Sequence, residues 1–230
     1  MIDVFREEKK YVCNLLEATY IKNTLTGVLS GDPFQGYKPY LVRSLYFDSY
    51  RDTDYKEKED GLSERKKVRL RVYSPDAKKA KLELKQKSGC MQRKQSLTIT
   101  REHAMELIAG NTEVLRKYPD AFAEHMYNLM KTEMYIPKTV VEYDRVAFTA
   151  PINNIRLTID SGVRANEGYF NIFDKELSLY PVMDPAKVIL EVKYNKFLLS
   201  YIKDALRCVD KIEESASKYV MARGIGQGGE

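Results

Sequence analysis

Lys67-Val68-Arg69-Leu70-Arg71-Val72 alternates without a break, basic residues on one phase and apolar residues on the other. Side chains of a β-strand point to opposite faces with period two, so this stretch reads as a strand with one cationic face and one greasy face. Four further segments repeat the pattern: Lys81-Leu82-Glu83-Leu84-Lys85, Tyr143-Asp144-Arg145-Val146, Arg156-Leu157-Thr158-Ile159-Asp160 and Ile189-Leu190-Glu191-Val192-Lys193. The wet face of an ordinary surface sheet mixes Ser, Thr, Gln and both charges. Here guanidinium and ammonium groups dominate it, with a few carboxylates at matching depths. If such a sheet closes, the charged faces line a basic tunnel, which suits polyanions.

Outward from these segments the chain reads as strands interrupted by helices. Phe5 to Val12 is a first strand with Arg6, Glu8 and Lys10 on one phase. Asn14 can cap a helix running to about Leu29, ended by Gly31-Asp32-Pro33. Arg43 to Asp48 is a short strand, and Ser49 to Glu64 a highly charged connection. Long strands cover Arg65 to Ser74 and Lys79 to Lys87, joined through the turn Ser74-Pro75-Asp76. After the Ser88-Gly89 turn, Met91 to Thr100 forms one more strand, and Thr100 caps a helix from Arg101 to Ala109. Glu113 to Met134 is helical with a break at Pro119. Strands at Lys138 to Thr149, Ile155 to Val163 and Val188 to Tyr194 precede an amphipathic helix from Phe197 to Val209. The expected fold is therefore α+β, an antiparallel β-barrel of about eight strands forming a basic tunnel with flanking helices. A single domain is expected over residues 4–221, with a Gly-rich tail at 222–230. The tail matches G-x-G-x-x-G as text but follows no strand and opens no helix, so it reads as a frayed terminus.

Composition narrows the function. The chain has 230 residues, enough for a sizeable core, and is 43% hydrophobic and 31% charged, the balance of a globular protein. Lys plus Arg number 38 against 33 Asp plus Glu, an excess too small for generic DNA coating, so the placement of charge matters more than its sum. Aromatics sit mostly at strand ends (Tyr73, Tyr194), which argues against single-stranded nucleic acid as partner. Cys13, Cys90 and Cys208 are scattered without a CxxC or CxxH partner, so a zinc site is not expected and a reducing, cytoplasmic compartment is. His103 and His125 lie in helix-like stretches and read as ordinary residues. No apolar run approaches a membrane span, and the charged start Met1 to Lys10 lacks the apolar stretch of a secretion signal.

Taken in order, these pieces resemble the polyphosphate polymerase domain of the vacuolar transporter chaperone family, within the triphosphate tunnel metalloenzyme superfamily. The resemblance runs from Phe5 to about Tyr219. It rests on Arg6-x-Glu8-x-Lys10-Tyr11, Ser44-Leu45-Tyr46-Phe47-Asp48, Arg65-x-Lys67-x-Arg69-x-Arg71-x-Tyr73 and Leu82-Glu83-x-Lys85. It continues through Tyr143-x-Arg145-x-Ala147-Phe148, Arg156-x-Thr158-x-Asp160, Leu190-Glu191-Val192-Lys193-Tyr194 and Ser217-Lys218-Tyr219. The resemblance implies an antiparallel barrel whose tunnel binds a triphosphate chain and a divalent metal, Mn2+ or Mg2+. It implies transfer of the γ-phosphate of ATP or another nucleoside triphosphate to a growing polyphosphate, with polyphosphate and pyrophosphate as ligands. Lys10, Arg69, Arg71, Lys85, Arg145, Arg156 and Lys193 match the family's phosphate-binding catalytic positions. Lys218 would stand near the tunnel mouth and one of Arg93 and Lys94 near the phosphates, while Tyr143 reads as either a substrate contact or a packing residue. Glu191 matches the metal-ligating carboxylate, with Glu8 and Glu83 as secondary candidates. The superfamily's opening Glu-x-Glu-x-Lys has Arg6 in place of its first Glu, which suits the polymerase branch over the triphosphatases. A tripolyphosphatase or nucleoside triphosphatase remains the alternative in chemistry, and a non-catalytic polyphosphate-binding module the alternative in class.

Overall fold

The structure is a computed structural model and describes residues 6–89, 91–209 and 216–224. In chain order the elements are β1 (Arg6–Asn14), α1 (Leu15–Leu25), β2 (Ser30–Gly31), β3 (Tyr40–Ser49), α2 (Thr53–Glu59), β4 (Glu64–Val72), β5 (Lys79–Ser88) and β6 (Met91–Thr100). They continue with α3 (Arg101–Ile108), α4 (Ala121–Thr132), β7 (Tyr135–Ala150), β8 (Ile155–Asn166), β9 (Tyr180–Pro181), β10 (Lys187–Asn195), α5 (Ser200–Ala205) and α6 (Lys218–Arg223). Strand β1 pairs with β10, β10 with β8, β3 with β4, β4 with β5 and β5 with β6, each antiparallel, and the hydrogen-bonded path β1-β10-β8-β7-β3-β4-β5-β6 has the expected eight strands. The two-residue strands β2 and β9 attach to β7 and β8, and the path is left open at β1 and β6. Phe5, Cys90 and the expected Gly-rich tail beyond Gly224 lie outside the described residues.

The chain divides into two compact units, one of residues 1–41, 143–163 and 183–217, the other of 42–142, 164–182 and 218–230. In the first unit, the apolar phases of β1, β10, β8 and the end of β7 bury Cys13, Leu190, Leu157 and Phe148. Ile21 and Leu25 of α1 and Ile202 of α5 pack on that same side. Asn14 accepts from the Glu17 backbone N–H at 2.9 Å while Glu17 accepts from the Asn14 N–H at 2.8 Å, so the chain leaves β1 straight into a capped helix. The helix stops at Leu25, earlier than the sequence suggests, because Gly27 takes φ +88° and the backbone turns out of the helix. Past β2, a side chain at Gly31 would run into the Gly36 backbone, so only hydrogen fits where the Asp32 loop closes on itself.

In the second unit, Leu45, Phe47, Val68, Leu70, Leu82, Leu84, Leu97 and Ile99 form the inner layer under α3 and α4. At roughly 25 cal/mol per Å2 of apolar surface removed from water, this layer dominates the stability of the unit. The break expected at Pro119 is present: the stretch from Glu113 to Met134 divides into a 3-10 turn at Thr112–Lys117 and α4, because Pro119 has no N–H to continue the helix. The Ser49–Glu64 connection contains α2, whose only buried residue is Asp54. Its first turn is held from outside: the Asp48 carboxylate accepts the N–H groups of Asp54 and Tyr55, both at 2.9 Å. α6 runs past the expected domain boundary, and Arg223 pairs with Asp52 at 3.2 Å and Glu167 at 3.1 Å.

Candidate functional site

Each unit turns its strict alternation into one charged face. In the first, the β1–β10 register sets Lys10 opposite Glu191 and Glu8 opposite Lys193, a checkerboard of alternating sign. Lys10 lies 3.3 Å from Glu8 and 3.8 Å from Glu191, and Lys193 lies 3.5 Å and 3.1 Å from the same two carboxylates. Burial pushes the Glu191 carboxyl up, but Lys193 and Lys10, a hydrogen bond with Glu8 and the Arg145 guanidinium outweigh it and hold Glu191 well below the usual range. The group is therefore anionic at neutral pH. Glu8 and Glu191 both lie within 3.5 Å of Lys193.

Beside the checkerboard, β8 contributes Arg156, Thr158 and Asp160. Asp160 is fully buried and takes Arg145 bidentately, Nε at 2.6 Å and Nη2 at 2.7 Å, with Glu191 at 3.9 Å from the same guanidinium. Arg145 also lies over the Tyr143 ring at 5.2 Å. Arg156, more exposed, reaches the Tyr40 hydroxyl at 3.2 Å and Asp32 at 3.5 Å. Thr158 sits opposite Glu191 in the β10–β8 register, and its Oγ1 is buried with no hydrogen-bond partner among the described residues. A buried hydroxyl without a partner costs about 1–3 kcal/mol, which sets Thr158 apart from the other polar residues of this face. Sequence reasoning left Thr158 out of the site. The signal was present in its phase, between Arg156 and Asp160.

The charged face of the second unit is a cross-strand ladder. Its rows are Arg71–Lys81–Thr98, Arg69–Glu83–Ser96, Lys67–Lys85–Lys94 and Arg65–Lys87–Gln92 across β4, β5 and β6. From β3, Ser44 stands opposite Arg71 and Tyr46 opposite Arg69. Glu83 is the one carboxylate in these rows and is almost fully buried. It is engaged by Arg69 at 2.7 Å, Arg71 at 3.8 Å and the Lys94 ammonium. Burial raises its pKa, yet the three cations more than offset this and bring it down to about 2. Burial likewise pushes the Tyr46 hydroxyl up, and Arg69 and Arg71 more than reverse it. Tyr46 stacks on Tyr219 of α6 with ring centroids 5.1 Å apart, and the Tyr219 hydroxyl donates to Asp48 at 2.6 Å. Tyr219 thereby docks α6, and with it Lys218, on this unit.

The pairing register separates Arg93 from Lys94. Lys94 stands opposite Lys85 on the charged phase and binds Glu83, whereas Arg93 stands opposite Gln86 on the other phase. His103 hydrogen-bonds Tyr118 at 2.6 Å in the α3 layer, a packing role. Among the described residues no group of three or more His, Cys, Asp or Glu could hold a metal ion, and no helix is long and apolar enough to cross a membrane. Glu8 and Glu191 still offer hard oxygen donors of the kind Mg2+ and Mn2+ prefer, beside the orphaned Thr158 hydroxyl. This pair fits a metal that completes its shell with ligand oxygens and water. Glu83, the lone carboxylate of its rows, has no second carboxylate with which to share a metal.

A family model for the VTC domain matches residues 5–225. No curated protein matches the chain. Among solved structures, a proposed adenylyl cyclase from Hippeastrum with a dominant triphosphatase activity is similar with a TM-score of 0.56 at 13% identity, covering 94% of each chain. Proposed adenylate cyclases from Bacillus halodurans (TM-score 0.47, 11% identity, 88% of each chain) and Vibrio parahaemolyticus (0.48, 11%, 94% of this chain and 97% of that one) are also similar. At these identities the Hippeastrum likeness establishes a shared fold.

Proposed function

The chain belongs to the VTC domain family, and on that premise we propose that it is a polyphosphate polymerase-like phosphotransferase acting on a nucleoside triphosphate. The observation that carries this reading is the pairing of two faces dense in Arg and Lys with carboxylates kept ionised by those same cations. Phosphoryl transfer asks little covalent work of a protein: it needs in-line positioning and neutralisation of charge on the non-bridging oxygens. Arg69 and Arg71 present planar forks that meet two phosphate oxygens each, while Lys10, Lys193, Lys85 and Lys218 supply compact, movable charge. Arg145 is fixed by Asp160, so one guanidinium is oriented before substrate arrives. A terminal oxygen of the polyphosphate chain attacks the γ-phosphorus, the β–γ bridging bond breaks, and the nucleoside diphosphate leaves with that electron pair. No side-chain nucleophile is required. Glu8 and Glu191 would hold the metal, which when bound neutralises charge on the phosphate oxygens. Glu83 balances Arg69, Arg71 and Lys94.

The experiment is incubation of the purified protein with ATP and Mn2+, products separated on a gel stained for polyphosphate. A ladder of long chains is expected. Orthophosphate without a ladder makes the acceptor water and the protein a tripolyphosphatase or nucleoside triphosphatase. Tight polyphosphate binding with no turnover makes it a receptor.

A further inference from the structure

The cation ladder of the second unit runs past the residues assigned to the reaction and ends in a cleft. This cleft, of about 630 Å3, lies where the start of β4, the end of β5 and the start of β6 meet α2. It takes side chains of both strand phases, so it wraps over the end of the sheet rather than lying on one face. Arg65, Lys66, Lys87 and Arg93 line it, with Gln86 and Gln92 as neutral hydrogen-bond donors. Two carboxylates, Glu57 and Glu64, stand against these four cations.

The cations differ in how they are held. Lys66 pairs with Glu133 at 3.0 Å and Asp54 at 3.5 Å, and Arg65 donates to the Leu62 carbonyl at 2.8 Å. Lys87 and Arg93 make no ion pair or side-chain hydrogen bond among the described residues. Cross-strand pairing places Lys87 opposite Gln92 and Arg93 opposite Gln86, so the two unpaired charges belong to neighbouring rows of one hairpin. Strand rise of about 3.4 Å per residue puts the Arg65–Lys87–Gln92 row roughly 20 Å from the Arg71–Lys81–Thr98 row, with cations in every row between. A compact nucleotide triphosphate has no use for charge spread over that length. A linear polyanion has.

We propose that this cleft binds the distal stretch of a polyphosphate chain whose reacting end lies at Arg69 and Arg71, holding the product between additions. The inference rests on the polyphosphate reading above and adds to it a second, non-catalytic site. Binding there is electrostatic and spread over several phosphates, so it is salt-dependent and grows with chain length.

The test is equilibrium binding of long-chain polyphosphate and of tripolyphosphate to the full chain across a salt series, for wild type and the K87Q/R93Q variant. Neither side chain has a partner to lose, so the variant should match the thermal melt of the wild type. Long-chain affinity is expected to fall by about tenfold more than tripolyphosphate affinity, and the log–log salt slope for the long chain to shrink by about 2, one per lost contact. Equal loss for both ligands would make the cleft a general source of field and overturn the proposal. No loss for the long chain, in a protein that binds it, would overturn the cleft and leave the proposed function standing. A wild type that binds neither ligand would remove both together.

Discussion

The two charged faces use the same strand periodicity and reach opposite balances. In the first unit, Glu8 and Glu191 alternate with Lys10 and Lys193, and Asp160 ties down Arg145, so anion and cation are nearly matched. In the second, the lone Glu83 answers Arg69, Arg71 and Lys94 while further lysines continue along the ladder. On the proposed function, carboxylate number rather than cation number would separate the face that shares a metal from the face that grips phosphate. Neighbouring cations hold Glu191 on the first face and Glu83 on the second below the usual carboxylate range, yet on the first face Glu191 has Glu8 beside it.

The largest expected effect distinguishes two arginines that look alike in sequence. Both stand on the polar phase of their strands, but Arg145 is tied to a buried carboxylate. Arg145→Ala strips the bidentate partner from the fully buried Asp160 and should cost about 3–5 kcal/mol of stability along with turnover. Arg71→Ala leaves Glu83 with Arg69 and Lys94, so turnover should fall about 10²-fold or more with roughly 1 kcal/mol of stability lost. Urea denaturation beside the gel assay reads both, and equal stability of the two variants would break the distinction.

Next comes Glu191→Gln, which removes half of the carboxylate pair and should lower turnover about 10²-fold or more. Raising the Mn2+ concentration should restore part of it. A third, smaller effect concerns acid. Glu83 falls from 4.5 to about 2 on folding, so its stabilisation is fully present above pH 4.5 and is lost as pH drops through 2. The loss is on the order of 3 kcal/mol, and Glu83→Gln should flatten the stability profile over that window. An unchanged profile would mean that the three cations do not hold this carboxyl. The smallest effect is Thr158→Val, which replaces an unpartnered hydroxyl by a methyl. It should leave stability equal or up to about 1 kcal/mol higher while tripolyphosphate affinity falls. Loss of stability would show that the hydroxyl is satisfied in the folded protein.

Strand identity and face were legible because the alternation is strict and the apolar phase is Val, Leu and Ile. Pairing was not. Glu8 meets Lys193 across most of the chain length, and only the β1–β10 register shows it. Arg93 and Lys94 could not be separated because the turn after Ser88 decides which phase follows, and the Lys85–Lys94 pair resolves it. α2 escaped notice for lack of an apolar stripe, its first turn being held by Asp48 from a preceding strand. Thr158 was passed over because nothing local marks a hydroxyl as unpartnered.

The most direct test of the contrast is the Mn2+ dependence of tripolyphosphate binding in Glu191→Gln and Glu83→Gln, measured calorimetrically. The account predicts that Glu191→Gln abolishes the enhancement by Mn2+ and that Glu83→Gln retains it while shifting the metal-free affinity. Enhancement lost in Glu83→Gln and kept in Glu191→Gln would place the metal on the other face and contradict the account.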